Sequence, residues 1–192
     1  MLSYSHQPRA LPILYLHSPD PSVPIGETLA GIQDLYVAGA FRRFGISNYT
    51  AEEVRSIHDH QRGKGWVLPT VYQGNYNPVA RTYEKNLFPT LRELGIAFYA
   101  YSPAAGGFLT KTKQQVLEGK GRFSKSAGSF SDLYHALYNR PSLLKALASW
   151  HEIARDAECP PCVLALRWVA FNSPLEAEHG DAVIVGAGDI DQ

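Results

Sequence analysis

The sequence has few cysteines and no net charge, and each shortage excludes a class of function. Only two of its 192 residues are cysteines, too few for the disulfide framework of a small secreted protein. Its 18 Lys and Arg balance its 18 Asp and Glu, and no run of basic residues interrupts that balance. Nucleic acids and anionic membrane surfaces attract proteins that carry a basic patch. We therefore expect neither as a partner.

Long hydrophobic runs are also absent. The longest apolar runs, such as residues 182–185, are far shorter than the roughly 20 residues that span a bilayer, and the N-terminal residues contain no apolar signal core. We therefore expect a cytoplasmic protein. A length of 192 residues suits one domain, and no low-complexity tract or linker divides the chain. We predict a single domain over residues 1–192.

Short apolar runs rich in β-forming residues alternate with longer amphipathic segments. Strands are predicted at residues 11–16, 41–46, 69–73, 96–101 and 182–185. Helices are predicted at residues 24–39, 83–94, 142–157 and 161–171, and a further helix after the capping-box pattern at 50–53. Strands that alternate with helices over short connections are typical of parallel βαβ units. The sequence therefore predicts an α/β fold with a parallel sheet.

Residues 103–131 interrupt this alternation with a stretch rich in Gly, Ser and Lys. Apart from one short helix at 113–117, this stretch is predicted to be a long surface loop, and loops of that length are usually functional or mobile. Its cationic side chains are expected to be solvated: Lys111, Lys113, Lys120, Arg122 and Lys125.

A polar residue or a glycine lies at the C-terminal end of each predicted strand or directly after it. These residues are His17, Ser47 with Asn48, Gln73, Tyr101 with Ser102, and Gly186. Ligand sites in parallel βαβ folds lie at the C-terminal ends of the strands. The repeated placement of such residues after apolar runs therefore predicts a site for a small-molecule substrate at these strand ends.

Two further patterns have both a functional and a structural interpretation. Cys159 and Cys162 form a Cys-Pro-Pro-Cys motif at the start of a predicted helix, a setting that supports thiol chemistry, but no thioredoxin-like sequence surrounds it. His58 and His60 lie two positions apart on a predicted helix, so their side chains diverge. We expect neither a redox pair nor a metal site here, and we expect the two histidines to lie on a solvated face.

Several segments together resemble the aldo-keto reductases, and within them the aflatoxin-aldehyde reductase branch. The segments are YLHSPD at 15–20, FGISNY at 44–49, GWVLPTVYQGNYN at 65–77, FYAYSPAAGG at 98–107, ALRW at 165–168 and GDAVIVG at 180–186. Their order and spacing fit the family from about residue 11 to the end of the chain. The family fold is a TIM barrel, and its first three strands and closing helices have no counterpart in this sequence. The resemblance therefore implies an incomplete TIM-type barrel with about five parallel strands and flanking helices.

The resemblance also implies roles for the residues at the strand ends. His17 matches the family's active-site histidine, which orients and polarises the substrate carbonyl. Ser47, Asn48 and Gln73 match the side chains that hydrogen-bond the nicotinamide carboxamide of NADP(H). Tyr101 matches the aromatic residue on which the nicotinamide ring stacks.

Two phosphate-binding segments are implied in the same way. Ser102 through Leu109 match the loop that covers the cofactor's pyrophosphate, and Gly186 opens the segment that holds the adenosine 2′-phosphate. In that segment Gly188 and Asp189 replace the family's serines, and a carboxylate repels a 2′-phosphate unless a cation intervenes. A protein without a nicotinamide cofactor therefore remains an alternative. The resemblance places the Cys-Pro-Pro-Cys motif on an outer helix, far from the site. It also implies that the region that contains Lys111 and Arg122 folds over the cofactor.

The family's catalytic tyrosine, lysine and aspartate match no position of this sequence, and three functions follow. The first is an oxidoreductase of the NAD(P)H-dependent aldehyde and ketone reductase lineage that acts on a small carbonyl compound, such as a secondary metabolite, with His17 as the acid. The second is a cofactor-independent isomerase, dehydratase or cyclase that uses the retained pocket and His17. The third is a non-catalytic remnant or binding protein.

The resemblance raises two further expectations, one for the proton donor and one for the open edges of the sheet. The phenols within residues 98–101 and those of Tyr72 and Tyr76 could replace the missing catalytic tyrosine, although the sequence places no lysine beside any of them. An incomplete barrel exposes strand edges, which proteins normally cover. We therefore expect a homodimer that covers the open barrel edges.

Overall fold

The five predicted strands are all present in a computed structural model, which describes residues 10–186 of the chain. The strands are β1 (Leu11–Leu16), β2 (Phe41–Ser47), β3 (Pro69–Asn75), β4 (Ala97–Tyr101) and β5 (Ala182–Val183). They form one parallel sheet in the order β1-β2-β3-β4-β5. Consecutive strands are therefore neighbours, as expected for parallel strands joined by helical crossovers.

Seven α-helices accompany the strands within residues 10–186. They are α1 (Ile25–Val37), α2 (Ala51–Lys64), α3 (Tyr83–Leu94), α4 (Lys113–Leu117), α5 (Ser129–Tyr138), α6 (Pro141–Asp156) and α7 (Pro161–Phe171). None of these helices has the length and apolar character needed to cross a membrane. The five parallel strands with flanking helices confirm the predicted α/β class and agree with the incomplete barrel implied by the family resemblance.

Helix α2 begins where its sequence predicts. The Thr50 hydroxyl accepts a hydrogen bond from the Glu53 backbone N–H at 3.2 Å, and the Glu53 carboxylate accepts one from the Thr50 N–H at 2.7 Å. This capping box satisfies N–H groups that the start of a helix otherwise leaves without partners. It fixes the first turn of α2 shortly after Asn48, one of the predicted site residues.

Within its described residues the chain divides into two compact units. The first unit contains residues 10–74 and 85–98, and the second contains residues 75–84 and 99–186. In the first unit the Phe98 ring stacks on Tyr72 at a centroid distance of 5.8 Å and meets Phe88 edge-on at 4.7 Å. Its other fully buried apolar side chains include Leu29, Phe44, Ile46, Val54, Val71 and Leu91.

The face of α2 that carries His58 is buried, so the expectation of a solvated histidine face is wrong. His58 is only 6% exposed, and the His60 ring meets Trp66 edge-on at a centroid distance of 5.8 Å. Helix α1 packs against α2, and a Cβ at Gly26 of α1 would lie 3.3 Å from the His60 ring. The pattern on α2 alone does not show which of its faces α1 covers.

Residues 103–131 contribute to the core of the second unit, so the predicted long surface loop is wrong. Phe108, Leu109, Val116 and Phe123 are each at most 1% exposed. The helix predicted at 113–117 is confirmed as α4, but 3-10 turns form much of the remaining stretch, and α5 begins before it ends.

These buried side chains pack on helices α5, α6 and α7. The Phe108 ring stacks on Tyr138 of α5 at a centroid distance of 5.4 Å. The remaining members of the cluster include Tyr134, Leu144, Leu147 and Ala165. Glycines and lysines separate the apolar residues of 103–131 without a helical or strand period, which is why the sequence pattern did not reveal this core.

Candidate functional site

The ends of β1 and β2 bring three predicted site residues together in the first unit. Strand β1 pairs with β2 so that Leu16 lies opposite Ile46, and His17 and Ser47 come next on each chain segment. The Asn48 side chain donates from Nδ2 to the His17 backbone carbonyl at 2.8 Å and to Ser47 Oγ at 3.2 Å. His17, Ser47 and Asn48 therefore form one hydrogen-bonded group.

Gln73 extends this group onto β3, because its position pairs with Ser47 in the parallel register. The residue before it, Tyr72, is fully buried and donates from its phenol to the Tyr49 carbonyl at 2.8 Å. The Tyr49 phenol in turn donates to the Ser18 carbonyl at 3.4 Å. These bonds fix the backbone around the ends of the three strands.

The side chains of this group differ in their access to a ligand. His17 and Asn48 are exposed, Gln73 is half-buried and Ser47 is buried. With its Nδ2 engaged, the Asn48 amide offers Oδ1 as an acceptor for a ligand N–H group. Asn48 also holds a φ of 63°, a left-handed conformation that costs energy for a non-glycine residue and is concentrated at functional sites.

A cavity of about 570 Å³ lies in the second unit, and three further predicted residues line it: Tyr101, Ser102 and Gly186. Thr110 and Arg122 also line it. The wall that contains Gly186 follows β5, which pairs in parallel with β4. Tyr101, Ser102 and Gly186 therefore share one cavity at the ends of two neighbouring strands.

Leu109 does not line this cavity. Its side chain is 1% exposed and packs beside Phe108 in the core of the second unit. The loop that matches the family's pyrophosphate-covering segment therefore has two parts. Ser102 lines the cavity, and Leu109 anchors the loop in the core of the second unit. A motif match assigns a segment to a ligand but does not show which side chains of the segment face that ligand.

The predicted 2′-phosphate segment is described only at its first residue, Gly186, which is exposed at the cavity. Gly188 and Asp189, which replace the family's serines, lie outside the described residues. The expected repulsion between Asp189 and a 2′-phosphate therefore stays a prediction.

The backbone of the cavity loop is left-handed at several positions. Ser102 and Ala105 have φ angles of 56° and 54°, and Gly106 and Gly107 have φ angles of 63° and 90°. The fully buried Asn77 donates from its amide to the Ser102 carbonyl at 3.1 Å, which holds the first of these residues in place. Such conformations are concentrated at ligand sites, where the surrounding structure maintains them.

Arg122 gives the cavity its charge, and the sequence pattern did not single it out. Among the described residues that line the cavity, Arg122 is the only one with a charged side chain. Burial raises the pKa of the Tyr101 phenol, so that side chain is neutral. A guanidinium, hydroxyl groups and an aromatic ring fit an anionic ligand that carries a flat ring. The neighbouring Phe123 is buried and anchors the chain beside Arg122.

Cys162 lies at the same cavity, which corrects the expectation that the Cys-Pro-Pro-Cys motif is far from the site. Cys162 is exposed in the first turn of α7 and lines the cavity, whereas Cys159 is half-buried, and both thiols are free. The physical reason is that α7 packs against the 3-10 turn Ala105–Thr110 of the cavity loop.

Two of the phenols predicted as alternative proton donors, those of Tyr72 and Tyr76, are engaged in hydrogen bonds within the protein. Tyr72 donates to a backbone carbonyl, and Tyr76 donates to Glu84 Oε1 at 2.6 Å. Burial and the bond to Glu84 raise the pKa of Tyr76 well above its ordinary value. A raised pKa makes a phenol a weaker proton donor. The exposed His17 is therefore the better candidate for the acid.

Comparison with known proteins identifies relatives for most of the chain. A model described as the aldo/keto reductase family matches residues 7–192. Oxidoreductase sirO of Leptosphaeria maculans is 42% identical over 175 residues, which are 90% of this chain and 52% of that protein. The aflatoxin B1 aldehyde reductase member 2 of Homo sapiens is 41% identical over 188 residues, which are 94% of this chain and 52% of that protein. The chain therefore spans about half the length of these curated relatives.

Proposed function

The chain belongs to the aldo/keto reductase family, and we propose that it binds a nicotinamide cofactor and serves in the reduction of a small carbonyl compound. The cavity of the second unit carries this proposal. Tyr101, Ser102 and Gly186 line this cavity, and the motifs imply that these residues contact the cofactor. Arg122, to which the motifs assign no role, lines it as well. The names of the relatives, an oxidoreductase and an aflatoxin B1 aldehyde reductase, support carbonyl reduction as the reaction type.

The residues of this cavity fit a dinucleotide. Arg122 would hold the pyrophosphate by charge-assisted hydrogen bonds, and the hydroxyls of Ser102 and Thr110 would donate to its oxygens. The half-buried ring of Tyr101 offers a surface for the nicotinamide. NADP(H) is the cofactor that the family resemblance implies, and its reduced form supplies a hydride when bound.

In the first unit we assign the substrate carbonyl to His17. The imidazole is exposed, and the backbone carbonyl of this residue is fixed by Asn48. An exposed imidazole can donate a hydrogen bond or a proton to a carbonyl oxygen. Ser47, Asn48 and Gln73 supply hydroxyl and amide groups that suit a carboxamide, as the motif match implies.

Titration with NADPH tests cofactor binding. The reduced nicotinamide absorbs tryptophan emission, and the half-buried Trp168 belongs to the same unit as the cavity. We expect saturable quenching in the wild-type chain and at least about tenfold weaker binding in Arg122→Ala, because a charge-assisted contact is lost. Arg167→Ala is the matched control, since Arg167 is exposed and does not line the cavity. No saturable quenching up to millimolar NADPH or NADH would overturn the proposal.

Acid–base chemistry without a cofactor is the second candidate, and the exposure of His17 favours it. An isomerase, dehydratase or cyclase needs a proton donor or acceptor at the substrate but no hydride source. To test this candidate, carbonyl compounds are incubated with the protein in the absence of a nicotinamide cofactor, and their conversion is followed by NMR. Turnover that is lost in His17→Ala but kept in Arg122→Ala would favour this candidate over the reductase. A non-catalytic binding protein would show no turnover with or without cofactor.

We also propose that a second copy of the chain covers the edge strand β1. Within residues 10–186 strand β1 is first in the sheet order and pairs with β2 alone, and an open strand edge readily adds another strand. Apolar residues of β1 and the end of α1 are exposed: Leu11 by 52%, Leu35 by 46% and Val37 by 75%. We expect a dimer in size-exclusion chromatography with light scattering, and a shift toward monomer in Leu11→Lys. A stable wild-type monomer at micromolar concentration would contradict this proposal.

A further inference from the structure

Tyr134 of α5 holds the guanidinium of Arg122 in the second unit. Arg122 donates from Nη1 to the Tyr134 phenol oxygen at 2.6 Å, and its Cζ atom lies 5.4 Å from the centroid of the Tyr134 ring. Arg122 is otherwise an exposed side chain that lines the cavity. An exposed arginine has many rotamers, and ordering them opposes ligand binding. The bond to Tyr134 therefore orders the one charged side chain among the described residues of the cavity wall.

Tyr134 is itself held in place by aromatic packing. It is 7% exposed, and its ring lies 6.1 Å from the Phe123 ring and 6.0 Å from the Tyr138 ring. Phe123 directly follows Arg122 in the chain and is 1% exposed. The core therefore anchors both the backbone beside the arginine and the ring that receives its hydrogen bond.

Gly106 of the cavity loop gives the Tyr134 ring its space. A Cβ atom at Gly106 would lie 1.8 Å from Cε1 of Tyr134, a distance at which the two groups overlap. The φ of 63° at Gly106 is also a conformation that other residues rarely adopt. The lack of a side chain at Gly106 therefore leaves room for the Tyr134 ring in the position from which its phenol oxygen accepts the hydrogen bond from Arg122.

A second cation, Lys111, lies beside the residue that precedes Arg122, because a Cβ atom at Gly121 would lie 3.3 Å from Lys111 Nζ. Lys111 donates from Nζ to the Gly107 carbonyl at 3.4 Å. Burial lowers the pKa of Lys111, and repulsion from the positive charge of Arg122 lowers it further. A phosphate group relieves such repulsion and offers several acceptor oxygens to a guanidinium.

We propose that Tyr134 is a positioning residue that keeps Arg122 directed at the cavity and thereby gives the cavity its preference for phosphate-bearing ligands. This inference rests on the proposed cofactor binding and adds to it a residue that none of the motifs assigns. Without the phenol oxygen the guanidinium keeps its charge but loses its fixed position. Ligand binding must then order the arginine, and the affinity falls.

A double-mutant cycle tests whether Tyr134 acts through Arg122. Tyr134→Phe keeps the ring and its packing and removes only the hydroxyl. It should weaken NADPH binding about fivefold, close to the value of one hydrogen bond. In an Arg122→Ala chain the same substitution should change affinity by less than about twofold, because the group it positions is gone. Tyr36→Phe, at an exposed position of the first unit, is the matched control and should leave affinity unchanged.

Binding of inorganic pyrophosphate, measured by its competition with NADPH, reports the contribution of the phosphate groups alone to the affinity. Tyr134→Phe should weaken pyrophosphate binding by the same factor as NADPH binding, because pyrophosphate lacks the nicotinamide and the adenosine. A larger loss for NADPH than for pyrophosphate would place the effect of Tyr134 outside the phosphate contact and overturn the inference.

The outcomes separate the two proposals. A wild-type chain that binds neither NADPH nor pyrophosphate overturns the proposed function, and this inference with it, before any variant is made. A wild-type chain that binds both, with Tyr134→Phe equally tight, overturns only the inference. A loss of the same size with and without Arg122 also overturns it, because Tyr134 would then act through packing alone.

Discussion

The side-chain amide of Asn48 donates a hydrogen bond to the backbone carbonyl of His17 at 2.8 Å, and this bond ties the end of β2 to the end of β1. Asn48 makes the bond from a left-handed backbone with a φ of 63°. Asparagine and glycine adopt this conformation more readily than other residues. Its conformation and its hydrogen bond can therefore be separated by substitution.

Asn48→Gly should remove the hydrogen bond and keep the backbone conformation, whereas Asn48→Ala should remove the bond and add backbone strain. We expect the free energy of unfolding to fall by about 1 kcal/mol in the glycine variant and by about 2 kcal/mol in the alanine variant. Urea denaturation followed by tryptophan fluorescence measures both values. Equal losses in the two variants would mean that the left-handed conformation at position 48 adds no measurable cost for alanine relative to glycine.

The parts of the fold that local sequence determines were predictable. The capping box of Thr50 and Glu53 involves residues three apart, so the start of α2 follows from the sequence alone. Burial of Phe108 depends on contacts with residues distant in sequence, such as Tyr138 of α5, and Phe123 packs against the same cluster. No periodic pattern records such contacts, and residues 103–131 were therefore predicted as a surface loop.

Phe123→Ala tests whether residues 103–131 are part of the core. Its ring is 1% exposed and packs against Phe108 and Tyr134, so removing it should lower the free energy of unfolding by about 3 to 5 kcal/mol. Phe130→Ala is the matched control, because Phe130 is 65% exposed and its removal should cost less than about 0.5 kcal/mol. Thermal and urea unfolding of both variants measures the difference. Similar losses in the two would support a loop that packs against nothing.

The candidate site was predictable only where a side chain follows a strand. His17, Ser47 and Asn48 come together because neighbouring parallel strands end at one edge, a relationship that the sequence order reveals. Arg122 and Cys162 reach the cavity from a 3-10 turn and a helix start, and their approach depends on how these elements pack on the cavity loop. That packing is a tertiary property, so the motifs assigned neither residue to the site, although the resemblance implies that the region of Arg122 folds over the cofactor.

Glu84 should make the stability of the chain depend on pH. Its carboxylate accepts hydrogen bonds from Arg81 Nε at 2.7 Å and Arg81 Nη2 at 2.9 Å, and a third from the Tyr76 phenol. The Arg81 bonds, assisted by Tyr76, hold the pKa of Glu84 below its ordinary value despite partial burial. A carboxyl with a lowered folded-state pKa stabilises the fold above its unfolded-state pKa, and that contribution is lost as the pH falls through the folded-state value.

Glu84→Gln should remove this pH dependence. Near neutral pH the variant should be about 1 to 2 kcal/mol less stable than the wild type, because it loses charge-assisted hydrogen bonds. Between about pH 5 and about pH 3 the wild type should lose more unfolding free energy than the variant. Urea denaturation at several pH values measures both curves. Parallel curves over that range would show that Glu84 titrates alike in the folded and unfolded chain.

Cys162 provides a chemical probe of the cavity. It is exposed in the first turn of α7 and lines the cavity with Arg122, whereas Cys159 is half-buried. A maleimide should therefore alkylate Cys162 faster than Cys159. Saturating NADPH should slow the reaction at Cys162 several-fold, because a ligand held by Arg122 covers the cavity wall. Peptide mass spectrometry over a time course gives the rate at each cysteine.

Cys162→Ser is the control for this measurement, because it leaves Cys159 as the only thiol. The alkylation rate of Cys159 in that variant should be the same with and without NADPH, since Cys159 is not among the residues that line the cavity. Protection confined to Cys162 would locate the cofactor in the cavity of the second unit. An unchanged rate at Cys162, in a chain whose tryptophan fluorescence reports bound NADPH, would mean that the cofactor binds elsewhere and that Arg122 is not its phosphate ligand.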